Sequence, residues 1–232
     1  MEFFSALTEE IISLTEKYEK RYMPFCGENP WDDIGYNQVI LQRDTAFELK
    51  GTGFNLVTCD GVTDEIVIIG KDLCDIKTES PFARISLIQT EKQADEQKAY
   101  NLIRKIEYVK YHFFPEGYMI RTSSRSHKEA VRISKSAVKK GISFQKIGSL
   151  LISKYKENPA VKGVKVFFIT EPSADYGKIE SLAQKSNSIT EALNHIMNSV
   201  TFDCDTCNLK AVCDEVEGMK ELHFKNSAKR GM

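Results

Sequence analysis

Three of the chain's six cysteines, Cys204, Cys207 and Cys213, fall within the ten residues "CDTCNLKAVC". A C-x2-C pair on a tight turn brings two thiolates onto one metal or one face of a cluster, and a third cysteine after five intervening residues wraps back to the same centre. Polar flanking residues argue against three small buried hydrophobes. Tetrahedral zinc calls for a second C-x2-C or a paired histidine, and neither is present. The preferred expectation is therefore a [4Fe–4S] cluster with a fourth ligand from elsewhere in the chain, and zinc is the alternative. Cys26, in the irregular "FCGEN", and Cys59 and Cys74, each at a strand end, are equal candidates for that ligand. His223 ranks lower, because histidine is the rarer cubane ligand. Taken singly, Cys59 and Cys74 are also expected as ordinary small buried residues.

A second chemical feature is a run of positive charge. Residues 121–156 contain ten Lys or Arg against one acidic residue, with Arg121, Arg125, Arg132, Lys135, Lys139 and Lys140 leading the run. Such an excess suits phosphate groups, an acidic partner protein, or a plain solvated face. Catalytic constellations are missing: there is no G-x-S-x-G, P-loop, H-E-x-x-H or G-x-G-x-x-G, and "GTG" at 51–53 is too short for a phosphate loop. His112, His127 and His195 are expected at the surface. Asp32, Asp33, Asp203 and Asp205 are expected as solvated loop charges.

The 232 residues, 41% hydrophobic and 28% charged with a net charge of −1, describe a globular protein without the basic excess of a non-specific nucleic-acid binder. The N-terminal "MEFFSALTEEIISLTEKYEKRY" carries acids through its apolar stretch and lacks the small-residue cleavage site of a signal peptide, and no run approaches a membrane span. A cytoplasmic location is expected, with neither nucleic acid nor membrane as partner. In that reducing compartment, close cysteines favour metal or redox chemistry over disulfides.

The elements that must position these residues follow from hydrophobic period. Phe4, Leu7, Ile11, Leu14, Tyr18 and Tyr22 predict a helix over 3–22, followed by a loop over 23–37. Strands are predicted at 46–57, 64–70, 82–89, 118–123 and 129–134, and "VKVFFIT" (164–170) should lie inside the sheet. Helices are predicted at 92–113 and 143–156. Another spans 175–200 in two pieces, restarted by a capping box at Ser188 and Glu191. The absence of a strict βαβ rhythm makes the class α+β, a mixed sheet packed by helices. The expected division is a helix and loop at 1–44, an α+β domain at 45–200, and a cysteine-rich metal-binding segment and tail at 201–232.

The segments "GFNLVTCDGVTDEIVIIGKDLCDI" (53–76) and "EAVRISKSAVKKGISFQKIGSLLISKYKENPAVKGVKVFFITE" (129–171) resemble the beta subunit of the carbon monoxide dehydrogenase/acetyl-CoA synthase complex. They are similar to the part of the synthase just before its nickel–iron–sulfur cluster, and the likeness covers residues 45–213. It implies a synthase-type α+β domain and carries cubane binding to Cys204, Cys207 and Cys213. It also implies coenzyme A binding through the basic run, with Phe82 and Arg84 where the family has a Pro-Trp pair; Trp31 lies outside the match.

The departures limit what is carried over. There is no Cys-Gly-Cys to hold nickel, His223 stands where a fourth cysteine is expected, and the domain that follows in the synthase is expected to be missing. Carbon–carbon bond formation is not implied. The expected function is an iron–sulfur accessory, electron-transfer or docking protein of one-carbon (CO, methyl, acetyl-CoA) metabolism, partnered by a corrinoid or CO dehydrogenase-type protein. The alternatives are an enzyme acting on a CoA thioester or one-carbon unit, and a zinc-stapled interaction module.

Overall fold

The computed structural model describes residues 3–28, 31–92, 95–123, 128–198, 207–216, 218, 219, 221 and 222. Its strands are β1 (Arg21–Pro24), β2 (Thr45–Thr58), β3 (Glu65–Ile69), β4 (Ser80–Thr90), β5 (Tyr118–Thr122), β6 (Lys128–Ser134) and β7 (Val161–Ile169). Its helices are α1 (Ser5–Glu16), α2 (Glu96–Val109), α3 (Lys135–Lys139), α4 (Phe144–Lys156), α5 (Tyr176–Met197) and α6 (Lys210–Glu215). All seven strands join one sheet in the order β1-β3-β7-β4-β2-β6-β5. The β3/β7 and β2/β4 pairs are parallel and the rest antiparallel, so the class is α+β with a mixed sheet. The run "VKVFFIT" lies in β7 up to Ile169, between β3 and β4, as its β-branched and aromatic character, interrupted by Lys165, favours.

Strand alternation sends side chains to two cores. On one face Phe54, Leu56, Val67, Ile69, Ile85 and Phe167 meet α1 and α5; on the other Ile66, Phe82, Val166 and Phe168 meet α4. Helix α2 serves both, giving Tyr100 and Ile103 to the first core and Leu102 and Ile106 to the second. The starts of α2, α4 and α5 are capped by Asp95, Ser143 and Asp175, whose side chains accept the N–H groups of Lys98, Lys146 and Lys178.

Two expected boundaries are corrected. Helix α1 stops at Glu16, because Arg21–Pro24 is taken up as the antiparallel partner of β3 and pairs Arg21 with Ile68 through to Pro24 with Glu65. The Tyr18 hydroxyl instead donates to the Ser173 carbonyl at 3.3 Å, holding the α1 exit against the start of α5. Helix α5 runs unbroken through Ser188, since Ile189, Ala192, Leu193 and Ile196 extend the buried stripe begun by Ile179, Leu182 and Ala183. A continuous apolar face outweighs the capping signal. Among the described residues, no helix is long and apolar enough to cross a membrane.

Beyond the helical layers, the sheet continues as β2's first half, β6 and β5. There Glu129, Val131 and Ile133 face the α4 core, while Lys128 and Ala130 are exposed and Arg132 half-buried on the opposite face.

Candidate functional site

Of the cysteine trio, Cys207 and Cys213 are described, whereas Cys204 and the alternative ligand His223 lie outside the described residues. The carbonyl of Cys207 accepts the Lys210 N–H at 3.2 Å at the start of α6, and the Cys213 N–H donates to the Leu209 carbonyl at 3.1 Å. Both thiols are half-buried against the core on the α1/α5 face, where Leu209, Met219 and Leu222 insert. Lys185 of α5 pairs with Glu215 of α6 at 3.0 Å, which ties the unit to the body. Among the described residues, no three His, Cys, Asp or Glu side chains gather around one point.

The sheet separates the three described candidates for a fourth ligand. Cys59, at the end of β2, is half-buried beside Phe3, Phe4 and Ile103, on the same face as Cys207 and Cys213. Cys26 is exposed, and its N–H donates to Ser149 Oγ of α4 at 3.1 Å. Cys74 is exposed in the turn after β3, where burial, followed by the carboxylates of Asp72 and Asp75, pushes the thiol pKa up. Their neighbours Phe25 and Leu73 pack into the α4 core, on the far side of the sheet from Cys207 and Cys213.

Alternation also divides the basic run. Arg121 is exposed on β5, and Arg132 on β6 binds Glu48 at 2.7 Å and the Ile40 carbonyl at 3.1 Å. In α3, Lys135 donates to the Arg43 carbonyl at 2.6 Å, and in the turn that follows Lys140 pairs with Glu116 at 2.5 Å; Lys139 is exposed. Arg125 lies outside the described residues. The charges form a belt from the sheet to α3.

Phe82 and Arg84 require a correction, because β4 is the middle strand and both faces there are covered. Phe82 is fully buried, with its ring centroid 6.1 Å from Phe144 and 6.3 Å from Phe168, and Arg84 is 3% exposed. Neither presents a surface to coenzyme A. Asp33 is likewise drawn in, half-buried and 3.7 Å from Lys154, while Asp32 is exposed as expected. His195 is half-buried in α5 rather than at the surface, and His112 is exposed with its ring 3.5 Å from that of Tyr108.

The most organised polar assembly was not singled out by sequence spacing. Arg84 on β4 and Glu129 on β6 flank β2 and meet across it. Arg84 Nε lies 3.0 Å from Glu129 Oε1 and Nη2 lies 2.8 Å from Oε2. The contact is possible because Gly53 stands beneath it: a Cβ there would sit 1.9 Å from Glu129 Oε2. Arg84 Nη1 also donates to Asn55 Oδ1 (3.2 Å) and Ser86 Oγ (3.0 Å), and the Tyr155 hydroxyl of α4 donates to Asn55 Oδ1 (2.7 Å). Asn55 Nδ2 then reaches Glu107 of α2 at 3.0 Å, and Lys110 holds Glu107 at 2.5 Å.

Burial works to lower the Arg84 pKa, but the charge of Glu129 and the neighbouring tyrosines raises it above the ordinary value, so the guanidinium stays charged. Burial pushes Tyr155 up to about 12 and Tyr118 well above its usual value. The Tyr118 hydroxyl and Thr122 Oγ1 are buried with no hydrogen-bond partner. Buried at Arg84, Glu129 and Tyr155 and reaching the surface at Glu107, the assembly joins β4, β2, β6, α2 and α4. Its sequence signal is Asn55 in "GFNLV" and Arg84 and Ser86 in "FARISLI", polar residues in otherwise apolar runs, with Glu129 in phase with Val131 and Ile133 in "KEAVRI" and Gly53 two residues before Asn55.

Fold and site together define an α+β domain with a buried ionic bolt, an exposed basic belt and half-buried thiols at one end. The family model for the CO dehydrogenase/acetyl-CoA synthase complex beta subunit matches residues 36–174, more than half of the chain, and the chain belongs to that family. The match spans β2 to β7 and ends before α5, so Cys207 and Cys213 lie beyond it. A search of curated proteins finds no match.

Proposed function

We propose that this chain is an iron–sulfur accessory protein of the acetyl-CoA synthase family that docks on a protein partner in cytoplasmic one-carbon metabolism. Membership of a family described as a complex subunit carries the partner reading. The thiols carry the cluster reading: Cys207 and Cys213 are half-buried on one small unit and close in sequence to Cys204. As soft donors in a partly dry setting, they fit iron–sulfur or zinc in kind. A [4Fe–4S] cluster bound there would supply one-electron transfer, and zinc would supply a staple. The chain's own contribution is to seat the thiols against α5 and the sheet. Synthesis of acetyl-CoA by this chain is not part of the proposal, since it lacks the Cys-Gly-Cys that holds nickel in the synthase it resembles.

The deciding experiment is anaerobic purification and reconstitution with iron and sulfide, followed by metal analysis and electron paramagnetic resonance of the reduced protein. Close to four irons per chain are expected, falling sharply in Cys207→Ser and Cys213→Ser. One zinc per chain and no iron would establish the interaction-module alternative, and no bound metal of either kind would overturn the cluster.

A further inference from the structure

We infer that residues 36–43, with Lys135 and Lys139 beside them, form the docking surface for an acidic protein partner. The inference rests on the partner reading above and names where that partner sits. Tyr36, Val39 and Leu41 are 64%, 72% and 48% exposed, while Ile40 between them is 3% exposed. The segment is not a loose loop that happens to carry apolar residues. The Gln38 side chain accepts the Gly117 N–H at 3.0 Å, the Ile40 carbonyl accepts Arg132 at 3.1 Å, and the Leu41 carbonyl accepts the Thr45 N–H at 3.1 Å. Lys135 then grips the Arg43 carbonyl at 2.6 Å. Three large apolar side chains are thus held outward on a segment fixed through three backbone carbonyls and the Gln38 side chain, and binding loses little further ordering entropy. Clustered exposed apolar residues with a charged rim are the anatomy of an interface.

The rim sets the partner's chemistry. Arg132 and Lys135 hold the strip's own carbonyls at Ile40 and Arg43, and Lys139 follows Lys135 by one helical turn of α3; the carboxylates on these elements are Asp44, Glu48 and Glu116, the last paired with Lys140. Glu48 and Glu116 are already engaged by Arg132 and Lys140, and the Arg43–Asp44 contact is long, 3.9 Å, and highly exposed. The charge of Lys135, whose ammonium is held by a neutral carbonyl, and those of Arg43 and Lys139 are therefore the ones left to attract carboxylates on another protein, most strongly at low salt. A second copy of this chain fits poorly. A two-fold pairing would place these cations against themselves, and a head-to-tail pairing would leave the strip open at the end of every chain.

The test places a photo-crosslinking benzophenone side chain at Val39 in the full chain within cells of the source organism, with Ile12 on α1 as an exposed control. A heterologous acidic protein crosslinked from position 39 and not from position 12 is expected. That protein is then purified and titrated with the full chain at low and high salt. Affinity should fall at least about tenfold with Val39→Glu, with Lys135→Glu plus Lys139→Glu, and with added salt. Unchanged melting temperatures would show that the variants fold. Iron measured on the same samples should not change, so loss of docking and loss of the cluster are read separately. Adducts formed only with a second copy, equal adducts at both positions, no adduct at all, a basic partner, or affinity untouched by the variants would each overturn the assignment.

Discussion

Gly53→Ala tests the ionic bolt with a single methyl group. The φ of Gly53 lies outside the left-handed region, so alanine strains nothing in the backbone itself. The three atoms nearest the added Cβ all belong to the Glu129 carboxyl group, at 1.9, 2.4 and 2.9 Å. The carboxylate must move, and with it goes the two-point contact to Arg84, which is 3% exposed and has no water to fall back on. Breaking a buried ion pair costs about 3–5 kcal/mol, and replacing glycine at a tolerant backbone position returns about 0.4–1 kcal/mol. The expected net loss is about 2–4 kcal/mol. With a urea m-value of about 3 kcal/mol/M, the denaturation midpoint should fall by about 1 M with little change in slope. The control is the same substitution in an Arg84→Met/Glu129→Ala background, where no carboxylate opposes the methyl and the change should be neutral or slightly stabilising. A coupling of about 2–4 kcal/mol across that cycle is expected. A Gly53→Ala protein within about 0.5 kcal/mol of the parent would refute the bolt, since that is the scatter of unremarkable substitutions.

Three further outcomes are expected. The folded-state pKa of Tyr155 is raised to about 12, against about 10 in the unfolded chain. Folding therefore favours the neutral phenol, and that stability is complete below about pH 10 and is lost as pH rises towards 12; urea midpoints from pH 8 to 12 should trace the loss, and Tyr155→Phe should shallow it. Tyr118→Phe removes a buried hydroxyl with no partner and should stabilise by about 1 kcal/mol; a clear loss in the same assay would mean that the hydroxyl is satisfied by bound water. Coenzyme A should show no saturable binding by calorimetry at either of two salt concentrations, because Arg132 and Lys140 are already paired with carboxylates and Phe82 is buried; saturable binding weakened by salt would restore the phosphate reading of the belt.

Much of the scaffold was legible in the sequence because it rests on local period. The stripe Ile147, Leu151 and Tyr155 marks α4, Leu102 and Ile106 mark α2, and the apolar run at 164–170 marks a strand buried on both faces. What failed locally was decided by pairing at a distance. Nothing in "RYMP" announces that β3 needs an antiparallel neighbour, and Ser188 carries a valid capping signal that the longer apolar face of α5 overrides. The belt shows the same limit: ten cations in thirty-six residues were visible as a count, but strand alternation and local carbonyls determine which of them face outward uncommitted.

The buried assembly shows why chemistry-bearing residues and chemistry-doing residues need not coincide. The sequence resemblance sets up an expectation of coenzyme A at Arg84, and an arginine there invites a phosphate. Topology gives it a different partner. β4 and β6 are separated by β2 in the sheet and by 45 residues between Arg84 and Glu129 in the chain. Their side chains meet only because Gly53 leaves the inward face of β2 bare at that point. An ion pair this dry adds little net stability over a well-packed apolar substitute, yet a slipped register would strand both charges in the core. In a mixed sheet whose parallel pairs close through long crossovers, that penalty acts against misaligned alternatives. The same penalty holds β6 in place, and Arg132 on β6 anchors the strip at 36–43 through the Ile40 carbonyl.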